Sequence, residues 1–189
     1  ITPGKKIGLV GSTGSGKTLL TNVIMGVYGL EHSGLKLNEK SIATEVESFR
    51  KLFAIAPQDG FLFSETIRSN IELGSSKNTK ISVEECARLA SLAKDLKDIP
   101  EGLNASLGEK GINLSGGQKQ RISLARALHA NAQILILDDT LSALDTETES
   151  EILHNLNSLK STALIISHRY SSVKECDEII VLDLSLIHI

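Results

Sequence analysis

The stretch Gly11-Ser12-Thr13-Gly14-Ser15-Gly16-Lys17-Thr18 stands between an apolar run, Ile7-Gly8-Leu9-Val10, and a segment of helical character, and no other feature limits the fold so narrowly. Glycines at 11, 14 and 16 let the backbone turn tightly around phosphate oxygens and aim its amides, with the following helix N-terminus, at negative charge. Lys17 adds a mobile cation for β and γ phosphates, and the Thr18 hydroxyl can ligate magnesium. Ser12, Thr13 and Ser15 complete a phosphate cradle. The competing reading, a glycine-rich turn with no ligand, fits an eight-residue pattern in this setting poorly, so a nucleoside triphosphate is the expected ligand.

Two more features belong with the cradle. Asp138 follows Ile134-Leu135-Ile136-Leu137, which would hold a carboxylate at the exposed end of a buried strand, where a hard ion such as magnesium takes oxygen ligands. Asp139 is placed to orient an attacking water, because phosphoryl transfer gains chiefly from positioning and electrostatics; the alternative for each is a helix cap. Gln58, just after Ala56-Pro57, offers an amide donor and a carbonyl that could join magnesium to a neighbouring lobe, and it could equally be a surface glutamine. Leu114-Ser115-Gly116-Gly117-Gln118 combines small residues with a coming helix N-terminus, which suits close backbone approach to an anion.

The order of elements points to an α/β fold. Strands are expected at Lys6-Val10, Leu35-Asn38 (an edge strand), Leu52-Ala56 (a core strand), Ile134-Leu137 (central), Thr162-Ile166 and Ile179-Leu182. Helices are expected from Lys17 to about Val27, at Thr66-Ile71, over Ser82-Ala93, after Gly116-Gly117, and over Thr146-Leu159. Ile122, Ala125 and Leu128 mark one buried face of the helix after Gly117, so Lys119, Gln120 and Arg126 should face outward or across a boundary. Strand character vanishes between Ser64 and about Gly111, which predicts a core sheet with an inserted helical lobe. The expected division is ATPase core at 1–63 and 131–189, with a mainly helical subdomain and its closing helix at 64–130.

Composition removes several classes. The 189 residues are 41% hydrophobic and 23% charged, as in an ordinary folded protein, and 20 basic against 23 acidic side chains give a formal charge of -3. A broadly basic nucleic-acid surface gains no support, and no nucleic-acid partner is expected. No apolar run approaches the roughly 18 residues of a membrane-spanning helix. Cys86 and Cys176 lack close Cys or His companions, so neither a zinc cluster nor a disulfide framework is expected.

Taken together, GSTGSGKT at 11–18, APQD at 56–59, LSGGQKQRISLARAL at 114–128, ILILDD at 134–139, SALD at 142–145 and ISHR at 166–169 resemble the ATP-binding cassette (ABC) family of ATPases, in particular the nucleotide-binding domain of multidrug-type exporters. The likeness runs the length of the chain. It implies a P-loop NTPase fold, ATP and Mg2+ as ligands, and ATP hydrolysis coupled to export. It implies also a second nucleotide-binding domain, as homodimer or heterodimer, with composite ATP sites. In those sites Ser115, Gly116, Gly117 and Gln118 meet the γ phosphate held by the opposing subunit. Metal ligation falls to Thr18, Gln58 and Asp138, and catalysis to Asp139, His168 and Gln58. Asp145 is implied in communication across the dimer, and Glu109, within Leu107-Gly111, in contact with a transmembrane domain of the same polypeptide or complex. The fragment itself is then soluble and held at the cytoplasmic face of a membrane. His32, His129, His154 and His188 lack any such setting and are read as structural.

Two departures bear on mechanism. The family usually has glutamate where this chain has Asp139, and the missing methylene retracts the carboxylate by roughly 1 Å, a misplacement that can cost about 10²-fold. The expectation is a weak own site, as in one half of a heterodimeric exporter, or two slow sites in a homodimer. The family also has a preceding strand with an adenine-stacking aromatic and residues beyond the last strand, so truncation at both ends is expected. Other functions compatible with the motifs are a soluble cassette ATPase in nucleic-acid or assembly work, and a catalytically weak regulatory dimerisation module.

Overall fold

Alternating short apolar runs and helical stretches build a parallel sheet flanked by helices on both faces. The computed structural model describes residues 1–28, 34–37, 40–41, 46–73, 75, 79–108, 112–159 and 161–183. In chain order its elements are β1 (Lys6–Val10), α1 (Lys17–Ile24), β2 (Lys36–Leu37), β3 (Lys40–Ser41), α2 (Val46–Arg50), β4 (Phe53–Ala56), α3 (Ile67–Glu72), α4 (Val83–Leu89), α5 (Ala93–Asp98), α6 (Gly116–His129), β5 (Ile134–Asp138), α7 (Thr146–Ser158), β6 (Thr162–Ser167) and β7 (Glu178–Val181).

The five-stranded sheet has the order β4-β5-β6-β1-β7 and is parallel throughout. Its register aligns Val10 with Ser167, Asp138 with Ile166 and Ala56 with Leu137, so four neighbouring strands end at one edge. In such sheets ligands bind beyond the carboxyl ends of the strands. Side chains alternate between faces. Ile7, Leu9, Ile136, Leu164 and Ile166 meet Leu20 and Ile24 of α1, whereas Ala54, Ala56, Leu135, Leu137, Ala163 and Ile165 join a core built from α3, α4, α6 and α7.

Several local expectations are corrected. Helix α1 ends at Ile24, before Val27. The stretch expected as one helix over 82–93 divides into α4 and α5, because Ser91 takes a left-handed backbone (φ 54) that a helix cannot continue through. Lys36–Leu37 pairs with β3 in a separate antiparallel ribbon; position 38 lies outside the described residues. The strand at 53–56, expected in the core, lies at the end of the sheet order, with alternate residues buried.

Helix α6 is covered on most sides rather than along one stripe. It packs against α3, α4 and β4, and Gln120, Ser123, Leu124, Ala127 and His129 are buried along with Ile122, Ala125 and Leu128. Lys119 faces out, and Gln120 and Arg126, turned inward, reach across to the chain at Gln58, Ser142 and Phe61, the other arrangement the sequence allowed. Arg126, half-buried, donates to the Phe61 carbonyl (2.8 Å), the Asn70 carbonyl (2.8 Å) and Asn70 Oδ1 (2.9 Å), tying α6 to the chain between β4 and α3.

Strand β1 approaches the turn before β7 so closely that a Cβ on Gly8 would lie 2.6 Å from Val173 Cβ and 3.4 Å from Cys176 Sγ. Gly8→Ala should therefore destabilise the chain by about 1–3 kcal/mol, the usual cost of overpacking a filled core. Chemical denaturation checks this, with a lower midpoint expected at an unchanged slope.

Candidate functional site

The loops leaving β1, β4, β5 and β6 enclose a cleft of about 290 Å³ lined by Thr13, Gly14, Gly16, Lys17, Thr18, Leu19, Gln58, Asp138, Asp139 and His168. Each arrives there by register. Lys17 opens α1 directly after the loop from β1, Gln58 follows β4 by two residues, Asp138 is the last residue of β5, and His168 is the first residue after β6.

The glycine loop is shaped in advance of any ligand. Gly16, the N-cap of α1, lies at φ 97, which side-chain-bearing residues rarely adopt, and no side chain caps the helix there. The first amides of α1 are consequently not taken by a capping side chain, and the helix N-terminus carries partial positive charge. Lys17 Nζ donates to the carbonyls of Gly11 (2.7 Å) and Ser12 (2.8 Å) and to Ser15 Oγ (3.4 Å). Ser15 is fully buried beneath the loop. Of the loop residues expected to bind phosphate, Thr13, Gly14, Gly16, Lys17 and Thr18 line the cleft, whereas Gly11, Ser12 and Ser15 stand behind Lys17.

Asp138 and Asp139 differ in environment although adjacent. Asp138 is buried, and that burial, helped by the neighbouring Asp139 charge and opposed by Lys17, raises its pKa above the ordinary carboxylate value. Asp139 sits at φ 50, a left-handed conformation that aspartate tolerates better than most residues. Its N–H donates to the Ile166 carbonyl (2.9 Å), and its carboxylate oxygens lie 2.9 and 3.2 Å from His168 Nδ1. That contact requires the proton on Nδ1, leaving Nε2 as the second polar atom of the ring.

The groups present fit magnesium. Thr18 hydroxyl, the Gln58 amide carbonyl and the Asp138 carboxylate are oxygen donors around one cleft, and a raised carboxylate pKa marks a site where added positive charge is favourable. Among the described residues no group of three or more His, Cys, Asp or Glu could hold a metal. Water and substrate phosphates would have to complete the shell, as is usual for this ion.

Residues 115–118 are not part of this cleft. Ser115 caps α6 through a reciprocal pair of bonds with Gln118, and Gly116 lines a separate hollow of about 460 Å³ with Gln58, Gly60, Phe61, Lys119, Gln120 and Ala143. Gln58 borders both. Asp145 caps α7, accepting from Thr148 N (2.9 Å) and Thr148 Oγ1 (2.8 Å), and these bonds lower its pKa. Glu109, His32 and His188 lie outside the described residues. His154 is exposed, and His129 is buried with its Nδ1 unpartnered among the described residues.

Three residues given no role in the site from sequence tie the loops together. Gln120 donates to the Gln58 carbonyl (3.3 Å) and Ser142 Oγ (3.4 Å) and accepts from Ala143 N (3.1 Å). Arg169, next to His168, donates to the Ser142 carbonyl (2.8 Å) and faces the buried Glu149 at 3.4 Å, which also accepts from Ser172 Oγ. Only an unexpectedly polar residue on a buried helix face, as at Gln120 and Glu149, could have signalled these contacts.

The sequence model of ABC transporters matches residues 1–142 of this chain. The chain belongs to the ABC transporter family. It is 43% identical over 185 residues to the multidrug resistance-like ATP-binding protein MdlA of Escherichia coli (strain K12), an alignment covering 96% of this chain and 31% of that protein. It is 40% identical over 190 residues to the probable multidrug resistance ABC transporter ATP-binding/permease protein YheI of Bacillus subtilis (strain 168), covering 97% of this chain and 32% of the relative. Among solved structures, a bacterial Atm1-family ABC exporter with ATP bound superposes with a TM-score of 0.85 at 34% identity, over 96% of this chain and 33% of that one. The chain thus spans about a third of the length of the ABC relatives it matches. Among the described residues no helix is long and apolar enough to cross a membrane.

The buried Asp138 gives a signed expectation. Because its folded pKa is raised, the folded state holds the proton longer than the unfolded chain, so its contribution to stability falls as pH rises from the ordinary carboxylate range through the raised value. Asp138→Asn should raise the melting midpoint of the metal-free chain at pH 7, with the gain shrinking as pH is lowered toward about 4. Calorimetric melts of both forms across pH check the sign.

Proposed function

We propose that this chain is the nucleotide-binding domain of an ABC exporter, binding and hydrolysing Mg-ATP to drive export through an associated transmembrane domain at the cytoplasmic face of a membrane. The observation that carries it is the convergence of Lys17, Thr18, Gln58, Asp138, Asp139 and His168 on one cleft at the carboxyl edge of the sheet. The names of the relatives, which speak of ATP binding, multidrug resistance and export, favour the same reading. The core would comprise 1–63 and 131–189, with the helical subdomain at 64–130.

In this reading the α1 N-terminus and the amides of Gly14 and Gly16 take the phosphate oxygens, and Lys17 exchanges its two carbonyl partners for the β and γ phosphates. Thr18, Gln58 and Asp138 would hold magnesium, which would supply charge neutralisation to the triphosphate. Asp139 positions water while its carboxylate is steadied by His168 Nδ1, and His168 Nε2 meets the γ phosphate. Gln58, bordering both hollows, relays occupancy toward the helical subdomain. Ser115, Gly116, Gly117 and Gln118 lie outside the cleft of their own chain, and the reading assigns them to the triphosphate of a second cassette.

Asp139 makes this chain's own site the slower of the pair. An aspartate already drawn to His168 reaches less far into the cleft than glutamate would. Transfer catalysis depends on such placement.

Titration calorimetry tests the binding half of the proposal. Lys17→Ala should weaken Mg-ATP binding by about 10- to 100-fold, the loss of one or two charge-assisted bonds, whereas Asp139→Ala should bind as before and lower turnover of the assembled transporter only slightly. Unchanged affinity in Lys17→Ala would contradict the assignment.

A further inference from the structure

The cap of α6 depends on which way a single amide faces. Gln118 Oε1 accepts from Ser115 N (2.9 Å), Gln118 N donates to Ser115 Oγ (3.1 Å), and Gln118 Nε2 donates to Asp95 Oδ1 (2.9 Å). An ionised carboxylate only accepts. Asp95 therefore permits one orientation: turned over, the amide would set its oxygen against a carboxylate oxygen and its NH2 against the Ser115 N–H.

Asp95 is itself held. Arg121, one turn further along α6, places Nη1 2.6 Å from Asp95 Oδ2 and Nη2 3.0 Å from Oδ1, and its Nη1 also donates to the Ser91 carbonyl at 2.6 Å. The left-handed Ser91 that separates α4 from α5 thus brings both that carbonyl and Asp95 onto one guanidinium. The pair is well shielded, with side-chain exposures of 13% for Arg121 and 18% for Asp95. Burial would push the Asp95 carboxyl up, but the Arg121 and Gln118 donors outweigh it and keep the pKa below the ordinary value, so the group stays an acceptor.

We propose that Asp95 is a positioning residue for the γ-phosphate contact: acting through Gln118, it sets the Ser115 hydroxyl and the Gly116 and Gly117 amides toward the nucleotide of the partner cassette. This rests on the composite-site reading above. Ser115 and Gly116 are exposed at the helix start; Ile112 and Leu114 before them pack on the core, and the Asp95-Gln118-Ser115 relay fixes the polar side of the turn. Arg121 supplies the counter-charge that lets a carboxylate sit there.

The test exchanges donor and acceptor. Asp95→Asn must turn its NH2 against either Gln118 Nε2 or an Arg121 donor, whereas Asp95→Asn combined with Gln118→Glu reverses the bond to 118 and gives up the Arg121 Nη2 contact: the new amide at 95 donates to a carboxylate at 118, whose other oxygen still accepts from Ser115 N. In the assembled transporter, Asp95→Asn should lower Mg-ATP turnover at least about 10-fold, since displacement by about 1 Å can cost about 10²-fold. Mg-ATP affinity of this chain's own cleft should stay unchanged, a split that general loss of structure would not produce. The double variant should regain part of the turnover. Turnover within about 2-fold of the parent for Asp95→Asn, or a double variant no better than the single, overturns the proposal.

Ser115→Arg serves as the control. If it abolishes turnover while Asp95→Asn is silent, the positioning role alone fails; if Ser115→Arg is also silent, the composite-site reading fails with it. Amide hydrogen exchange on the unsubstituted protein keeps the proposal falsifiable should Asp95→Asn not fold. The Ser115 N–H should be protected, and exchange at the rate of an open chain refutes the relay.

Discussion

Parallel register is the constraint on which the rest of the structure depends. Pairing Val10 with Ser167, Asp138 with Ile166 and Ala56 with Leu137 ends four adjacent strands at one level, and the loops that follow have nowhere to go but around a common cleft. A slip of one residue in β5 would exchange its two faces. Leu135 and Leu137 would then leave the helical core for the α1 side, and Asp138 would no longer stand over Lys17. Apolar packing on both faces of β5 holds the register and thereby sets the geometry of the charged groups.

Those charges work against the fold that holds them. Asp138 is kept buried beside Asp139, with Lys17 its compensating neighbour, and Lys17 is engaged with two backbone carbonyls. Stability and chemistry pull in opposite directions at such positions. What holds the loops in place is a set of long-range polar contacts. Gln120 bonds to both Gln58 and Ala143, Thr140 Oγ1 to the Ala56 carbonyl, and Arg169 to the Ser142 carbonyl and Glu149, so the segments carrying Gln58, Asp139 and His168 are cross-linked from behind.

Much of this was legible in the sequence, for reasons that differ by residue. Lys17 and Thr18, behind a glycine loop, and Asp138, at the end of an apolar strand, were expected from local pattern, His168 from the family resemblance, and the four line one cleft. The succession of strands and helices along the chain follows from periodicity, whereas the sheet order β4-β5-β6-β1-β7 does not. The partners of Gln120, Arg126, Glu149 and Asp95 were not legible, because they lie tens of residues away and nothing in a helix's own sequence names a distant carbonyl. The division of the 82–93 helix was missed because its break uses Ser91 in a left-handed conformation without glycine or proline to mark it. Helix α6 was read as one-sided from the spacing of Ile122, Ala125 and Leu128, yet Gln120, Ser123 and His129 are buried too where it is enclosed by α3, α4 and β4.

The central claim is that one chain contributes to two nucleotide sites, with Lys17 in its own and Ser115 in the partner's. It is tested most directly by photolabelling with an ATP analogue reactive at the γ phosphate, in an assembly where a single cassette carries Lys17→Ala. The account predicts that, on the substituted chain, labelling of residues 11–18 is lost while labelling of residues 115–118 persists, because the nucleotide beside Ser115 is held by the other cassette. Loss of both labels together would contradict it.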